Sequence, residues 1–464
     1  MFAMFSAERA PVNEHPSQGI GGSVAAVPVV PTRDAGAGQV GRLDVCVIGM
    51  HYAPERTGNA PYTTGMVGAL AAAGHRVRVV TGYPHYPQWQ VHEGYRGLRR
   101  RELLEGVPVV RVRHPVPATP GARQRAVMDA AFATHAALVG GPRPDVVIAV
   151  SPVLLTVLAG LRWRRRGRTA LGVIAQDLYS RALRETRMTG DRAAAWAARL
   201  EGRLLGAADG LAVVHDRFVA PVHALGVDPA RVAVLPNWSH LPASPLLAAG
   251  ERSPARLAAR RALGWGDEEV VALHAGNMGL KQGLENVVAA AAAAPPGVRF
   301  VLLGDGARRR ALVDAARAAG VAARLQFLDA LPDDRFVDAL AAADVLVVNE
   351  APTVAEMSAP SKLTSYFAAG RPVVAASWPH SAAAVELQRA GAGMRVDPGD
   401  PGALVAAVAA LAADPQRRGV LGRAGREYAQ SRLTPAAAQG AYCRWVEALA
   451  ADRTAGGVGA SVGT

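Results

Sequence analysis

Lysine occurs at only two of 464 positions, Lys281 and Lys362, against 49 arginines. A composition that has nearly removed lysine makes the two survivors informative, and each stands in a segment suited to an anion. The first, His274-Ala275-Gly276-Asn277-Met278-Gly279-Leu280-Lys281-Gln282-Gly283-Leu284, follows an apolar run and opens a helix. Its glycines let backbone approach a ligand closely, and its lysine supplies the positive charge that a departing diphosphate needs. In the second, Pro360 and Ser361 mark a helix start, Lys362 and Ser365 follow, and Gly370 ends the helix. The helix dipole disfavours a cation in the first turn, so Lys362 calls for an anionic partner such as phosphate. Between them lies Gly304-Asp305-Gly306, a tight turn whose glycines permit close ligand approach. Its aspartate either holds a hydroxyl or caps a helix.

Three loops of the first half carry further candidates. His51 to Ala60 places Gly58 and Asn59 just before a helix start near Pro61, where backbone N–H groups face either an anion or nothing more than a helix entry. Gly82-Tyr83-Pro84-His85-Tyr86-Pro87-Gln88-Trp89 gathers two prolines and three aromatics around one histidine. There His85 is suited to orienting a sugar hydroxyl or moving a proton, with Tyr83, Tyr86 and Trp89 facing a sugar or lipid; the alternative is a packed loop core. Gln176-Asp177-Leu178-Tyr179 offers Asp177 as acceptor for a substrate hydroxyl or as a helix cap. The loop after the first strand has no G-x-G-x-x-G, which argues against a nicotinamide or flavin enzyme. No Asp-x-Asp occurs in the chain and no His or Cys cluster suggests zinc, so neither a metal nor another cofactor is expected, and charge stabilisation falls to Lys, Arg and helix N-termini.

These loops need strands to place them. Short apolar runs alternate with Ala-rich helical stretches: 44–49, 76–81, 109–112, 146–150, 170–175, 211–214 and 232–235, then 270–275, 299–303, 325–328, 345–348 and 372–375. Continuous apolar strands between helices predict parallel sheets covered on both faces, here an α/β fold of two doubly wound domains. The expected boundaries are a tail over 1–42, or a misplaced start, a domain over 43–237, a linker over 238–252, a domain over 253–452 and a tail over 453–464. The last helix is expected to pack back on the first domain. Ligands of open α/β sheets bind beyond the carboxyl ends of the strands, so two such domains make a cleft.

Half the residues are apolar and only two are Cys, which excludes disordered and disulfide-scaffold classes and suits a reducing cytoplasm. The stretch 146–161 is too short and too broken by Ser151-Pro152 to be a membrane span. Net charge is +13, unevenly placed: 25 Arg against 14 acidic residues over 43–240, but 23 basic against 21 acidic over 241–464. With no nucleic-acid-binding signature beside the Arg, an anionic lipid surface is the expected partner of the first half, with Arg162 to Arg168 as its basic flank.

The runs "HYAPERTGNAPYTTGM", "TGYPHYPQW", "QDLYSRAL", "VLPNWS", "HAGNMGLKQGLENVV", "LLGDG" and "PSKLTSYFAAGRPVVA" together resemble the retaining glycosyltransferases of family 4, which have the GT-B fold, and within them the exopolysaccharide, colanic-acid-type subgroup. The resemblance covers residues 43–450. It implies transfer from a nucleoside diphosphate sugar to a polyprenyl-diphosphate-linked saccharide at the inner face of the plasma membrane. The second domain would bind the donor through Asn277, Lys281, the 304–306 turn and residues 360–365, with Gly58 approaching from the first domain. Asn59, Tyr83, His85, Tyr86, Trp89, Asp177 and Tyr179 would line the acceptor side. Two departures stand out. Asn277 replaces an arginine common in the family and Ser365 a ribose-binding glutamate. Lys362 is positioned to supply the second cation, and Glu356 is a candidate contact to the donor sugar. A sugar-nucleotide 2-epimerase of the same fold, or a catalytically impaired donor-binding scaffold, are the alternatives.

Overall fold

The computed structural model describes residues 41–56, 58–118, 121–151, 154–164, 168–178, 180–181, 191–241, 244–248, 250, 252–354 and 361–458. Two sheets organise them. The first contains β1 (Asp44–Ile48), β2 (Arg76–Gly82), β3 (Arg99–Leu104), β4 (Val107–Val112), β5 (Val146–Ser151), β6 (Ala170–Ala175), β7 (Gly210–Val213) and β8 (Val232–Val234), ordered β3-β4-β2-β1-β5-β6-β7-β8. The second contains β9 (Val270–Ala275), β10 (Val298–Leu303), β11 (Leu325–Leu328), β12 (Val345–Asn349), β13 (Val373–Ala376) and β14 (Gly393–Val396), ordered β11-β10-β9-β12-β13-β14. Central strands such as β5 and β6 are buried along their whole length, because helices cover both faces, and Ser151 at the end of β5 is the one polar side chain between them.

The first sheet is mixed rather than purely parallel. β3 runs antiparallel to β4 at the sheet edge, and its sequence Arg-Arg-Arg-Glu-Leu-Leu lacks the apolar run that marks the buried strands. A charged edge strand also discourages pairing with another chain. β14, four residues at the opposite edge of the second sheet, was equally silent in the sequence.

The helix Pro435–Val458 returns to the first sheet and lies against β6. Its Trp445 and Leu449 occupy the space above Gly172 and Gly210: a Cβ at Gly172 would lie 2.7 Å from Leu449 Cδ1, and one at Gly210 2.7 Å from Leu449 Cδ2. Two strand glycines thus make room for a seam in which each large apolar side chain contributes about 1.5–3 kcal/mol of burial. In the second domain, Asp344 ahead of β12 is enclosed by Arg256 (2.7 Å) and Arg260 (2.9 Å) and accepts Val271 N–H at 2.8 Å, tying the helix Pro254–Ala262 to the strand bases.

The basic flank expected at Arg162 to Arg168 is partly engaged in the fold. Arg162 donates to the carbonyls of Ala137 and Val139, and Arg164 pairs with Asp209 at 2.9 Å, so both cations serve the fold. Arg165 and Arg166 lie outside the described residues.

Candidate active site

The loops that leave the carboxyl ends of β1, β2 and β6 face those that leave β9, β10 and β12. On the second-domain side, Gly276 turns the chain out of β9 at φ 123°, a conformation open to glycine. The loop then rests on the 304–306 turn: Gly276 N–H donates to Leu303 O at 2.9 Å and Met278 N–H to Asp305 O at 2.8 Å. A Cβ at Gly304 would stand 2.3 Å from Gly276 O, and one at Gly306 2.5 Å from Asn277 Oδ1. The close approach anticipated for these two glycines is therefore that of the neighbouring loop. Asp305 accepts its neighbour Gly306 N–H at 2.8 Å and is exposed.

Lys281 sits on a single turn, Leu280–Gln282, held from behind. Ala351 N–H donates to Lys281 O at 2.9 Å, and the Asn349 amide donates to Gln282 O at 2.7 Å and Gly283 O at 2.9 Å. With its backbone fixed, the side chain reaches across to the first domain, where its Nζ lies 3.5 Å from Asp177 Oδ2. Burial pushes the Asp177 carboxyl up, and the Lys281 ammonium opposes that shift.

Lys362 begins the helix Lys362–Ala369, which Gly370 closes in the left-handed conformation at φ 67°. Its side chain reaches under Gly276, where Nζ lies 3.0 Å from His274 Nε2. Burial and the charge of Lys281 push the amine down to about 7, against the pull of Glu350. Ser361 and Thr364, from the same helix start, neighbour the Tyr62 hydroxyl of the first domain. Ser365, on the same helix, is only 4 % exposed.

On the first-domain side a buried carboxylate arranges the loops. Glu55 Oε1 accepts the backbone N–H groups of His85 at 2.8 Å and Tyr86 at 2.9 Å, while Oε2 lies 2.7 Å from His51 Nδ1. The neighbouring histidines and these hydrogen bonds outweigh desolvation and hold its carboxyl down at about 2. Arg111, wholly buried beneath, donates to the carbonyls of Ala53 and Gly82 and so joins the two loops. His85 Nδ1 lies 2.9 Å from Tyr83 O, which can only accept; the ring proton is therefore on Nδ1 and Nε2 keeps a lone pair. Burial, then His51 and His114, push His85 down to about 4, so it is neutral. His51, Glu55 and His85 bring potential ligand atoms within 4.8 Å of one another, but each is already engaged in this hydrogen-bonded knot.

The remaining expectations divide. Tyr86 lies beside Gly58, whose added Cβ would be 3.6 Å from its ring, and it is within the field of both Lys281 and Asp177. Asn59 donates to Ser151 O at 3.3 Å at the mouth of the same loop. The acceptor-facing role of Tyr83 is corrected: its ring is buried and its hydroxyl donates to Arg96 O at 2.8 Å, bracing the loop. Trp89, at φ 55°, packs on the core with the Arg125 guanidinium 5.0 Å above its ring. Tyr179, Glu356 and Pro360 lie outside the described residues. Sequence reasoning missed Glu55, Arg111, His274 and Glu350. The available signals were a histidine inside the apolar run Val-Val-Ala-Leu-His-Ala and charged residues next to strand ends.

Residues 57–238 match the family described as glycosyl transferase 4-like domain, and residues 256–428 that described as glycosyl transferases group 1. The putative colanic acid biosynthesis glycosyl transferase WcaI of Escherichia coli K12 is 31% identical over 340 residues, covering 71% of this chain and 82% of its own. Among solved structures, sucrose-phosphate synthase from Thermosynechococcus elongatus superposes with TM-score 0.66 at 21% identity, over 86% of this chain and 96% of that one. Anabaena HepE in complex with UDP-glucose gives 0.63 at 17% identity, over 86% and 98%. WaaG, a glycosyltransferase involved in lipopolysaccharide biosynthesis, gives 0.61 at 18%, over 86% and 98%.

Proposed function

This chain belongs to the family-4 glycosyltransferases of GT-B fold and colanic-acid type, and from that premise we propose that it moves a glycosyl unit from a nucleoside diphosphate sugar to a hydroxyl of a polyprenyl-diphosphate-linked saccharide, with retention of anomeric configuration. The observation that carries the reading is the convergence of both lysines of the chain on one glycine loop, opposite Gly58, Tyr86 and Asp177. As the glycosidic bond to the diphosphate lengthens, the sugar gains oxocarbenium character and the diphosphate gains charge. Lys281 and Lys362 stabilise the departing oxygens where that charge appears, a role worth a factor of about 10²–10³ for a single donor. No metal or other cofactor is required for this step in the scheme.

His85, neutral and with a free Nε2 lone pair, accepts a hydrogen bond from a sugar hydroxyl and adds no charge beside the oxocarbenium ion. Once the donor diphosphate has drawn Lys281 away, Asp177 accepts a hydrogen bond from the acceptor hydroxyl and takes its proton as the bond to the acceptor oxygen forms and the bond to the diphosphate breaks. HepE binds UDP-glucose, which supports a uridine donor as the first to try.

Among the described residues no helix is long and apolar enough to cross a membrane. A lipid-linked acceptor is reached instead from the edge of the first domain. There Arg99, Arg100 and Arg101 on β3 stand beside Leu98 (74 % exposed) and Leu103, and Arg99 reaches the Leu138 carbonyl at the end of the helix Ala122–Ala137, which exposes Arg123, Arg125 and Val127. Interleaved arginines and apolar side chains suit an anionic bilayer at the inner membrane face.

The test is transfer with purified protein, UDP-, GDP- and dTDP-sugars and a polyprenyl-diphosphate saccharide. The expected result is a glycosylated lipid product of unchanged anomeric configuration; a sugar nucleotide isomerised without acceptor would replace the reading. Changing Arg99, Arg100 and Arg101 to Glu should cut binding to anionic vesicles by at least about tenfold, at about 1 kcal/mol per cation, and leave nucleotide binding unchanged.

A further inference from the structure

The two lysines differ in their surroundings. Lys281 is one-third exposed and meets a carboxylate. Lys362 meets a histidine that is wholly buried. His274 Nδ1 lies 3.1 Å from Val347 O, and a carbonyl can only accept, so the ring proton is on Nδ1 and Nε2 is an acceptor. The Lys362 nitrogen lies 3.0 Å from it, and the backbone of Asn277 also lies against the ring. A second proton on His274 is strongly disfavoured, first by burial and then by Lys362 itself. The charged and titratable groups that act on Lys362 are thus His274 from β9, Lys281 from the 280–282 turn and Glu350 after β12. The first is neutral, the second repels and the third attracts.

This pocket holds a proton loosely. Burial first, and the charge of Lys281 after it, lower the Lys362 amine to about 7 against the pull of Glu350. A diphosphate brought to Gly276 would add at least two negative charges within reach of the same nitrogen, and a nearby opposite charge favours the charged form of a base. His274 offers the amine one fixed direction, because its other nitrogen is already bound to the strand. Asn277, where an arginine is common in the family, leaves this pair as the loop's second source of positive charge.

We infer that His274 is a positioning residue that holds the Lys362 amine against the Gly276 loop, and that Lys362 takes up one proton from solvent as a nucleoside diphosphate binds there. The proton adds to the Nζ lone pair, no covalent bond to the ligand forms, and the ammonium then faces the phosphates. The inference rests on the reading of the 274–284 loop as the donor site.

The experiment is titration calorimetry of the full chain with UDP, GDP, ADP and dTDP at about pH 8, in two buffers of different ionisation enthalpy. With the amine lowered to about 7, most of it is neutral at that pH, so uptake of up to about one proton per nucleotide is expected. Lys362→Arg, whose charge is permanent, should bind within about tenfold of the parent with no uptake. His274→Leu should weaken binding at least about tenfold, and His274→Gln, whose side-chain oxygen can accept from Lys362, should recover most of it. Buffer-independent binding heats in the parent, or equal uptake in Lys362→Arg, would overturn the inference while leaving the donor site standing. Binding of none of the four nucleotides would overturn the donor-site reading, and this inference with it. If His274→Leu does not fold, the Lys362→Arg comparison decides alone.

Discussion

The two halves of the molecule carry charge in opposite senses at the surface and at the cleft. The first half holds nearly all of the net charge, 25 Arg against 14 acidic residues over 43–240, yet it brings carboxylates to the cleft: Glu55 under the loops and Asp177 at the rim. The second half is near balance and brings the ammonium group of Lys281 and the amine of Lys362. Each also uses a neutral histidine tethered through Nδ1 to a backbone carbonyl. His85 leaves its Nε2 buried and without a hydrogen-bond partner, whereas the Nε2 of His274 meets a lysine. Net charge therefore describes the outer surface, and the site has to be read residue by residue. On the proposed function the contrast also separates the chemistry: the first half would accept hydrogen bonds from neutral hydroxyls, and the second half would answer developing negative charge.

The largest effect should come from the cation that crosses between the halves. Lys281→Ala removes the cation proposed to face the leaving diphosphate, and initial-rate transfer assays should show kcat lower by about 10²–10³. Its backbone is held by Asn349 and Ala351 and the side chain is partly exposed, so the melting temperature should hardly move. An unchanged kcat would place the leaving-group charge elsewhere.

Next in size is the organising carboxylate of the other half. Glu55→Gln keeps the shape but loses the charge that accepts two backbone N–H groups and faces His51, at a cost of about 1–3 kcal/mol in denaturant unfolding. The pH dependence has a definite sign. The folded carboxyl is held at about 2, below its ordinary 4.5. Its contribution is therefore fully present above about 4.5 and disappears as pH falls towards 2. The parent should lose stability over that acid window and Glu55→Gln should lose less, so that their unfolding curves converge. Parallel curves would refute the assignment.

Much of this architecture was legible because parallel strands buried on both faces must be written as apolar runs; the runs at 170–175, 270–275 and 325–328 are strands with those bounds. β3 was not legible, since an edge strand has a solvent side and Arg99-Arg100-Arg101 satisfies it. At the site, the glycine loops and both lysines could be located by residue type. The supports could not, because Glu55, Arg111 and Glu350 meet their partners only after strands distant in sequence are laid side by side. Tyr83 shows the converse error: an aromatic in a suggestive loop turned inward to brace Arg96.

A smaller effect should appear at the other cation, with stability and binding moving apart. A lysine whose folded pKa is lowered to about 7 from 10.5 penalises the fold wherever the unfolded chain would carry the proton more readily. The penalty is full below about pH 7 and is relieved as pH rises towards 10.5. Lys362→Met should therefore raise the melting temperature of the unliganded protein at about pH 6 by about 2–4 °C, or roughly 1 kcal/mol for a domain of this size. The same substitution should weaken nucleotide binding. A melting temperature that fell would mean that the His274 contact contributes more than charge burial costs.

The smallest effect sharpens the comparison most, because it concerns a second ion pair between the same two halves. Arg56 and Asp333 meet at 3.2 Å across the rim, with 70 % and 61 % of their side chains exposed. Water and salt screen such a pair, and its contribution is about 0–1 kcal/mol. Lys281 and Asp177 are farther apart, 3.5 Å, but both are at least two-thirds enclosed and both stand where the ligand is expected. If enclosure rather than distance sets the value of a cross-cleft contact, Arg56→Ala should change kcat/KM by less than about threefold, an effect that vanishes at high salt. A loss comparable to that of Lys281→Ala would show that closing the halves, more than neutralising the diphosphate, is what the cations accomplish.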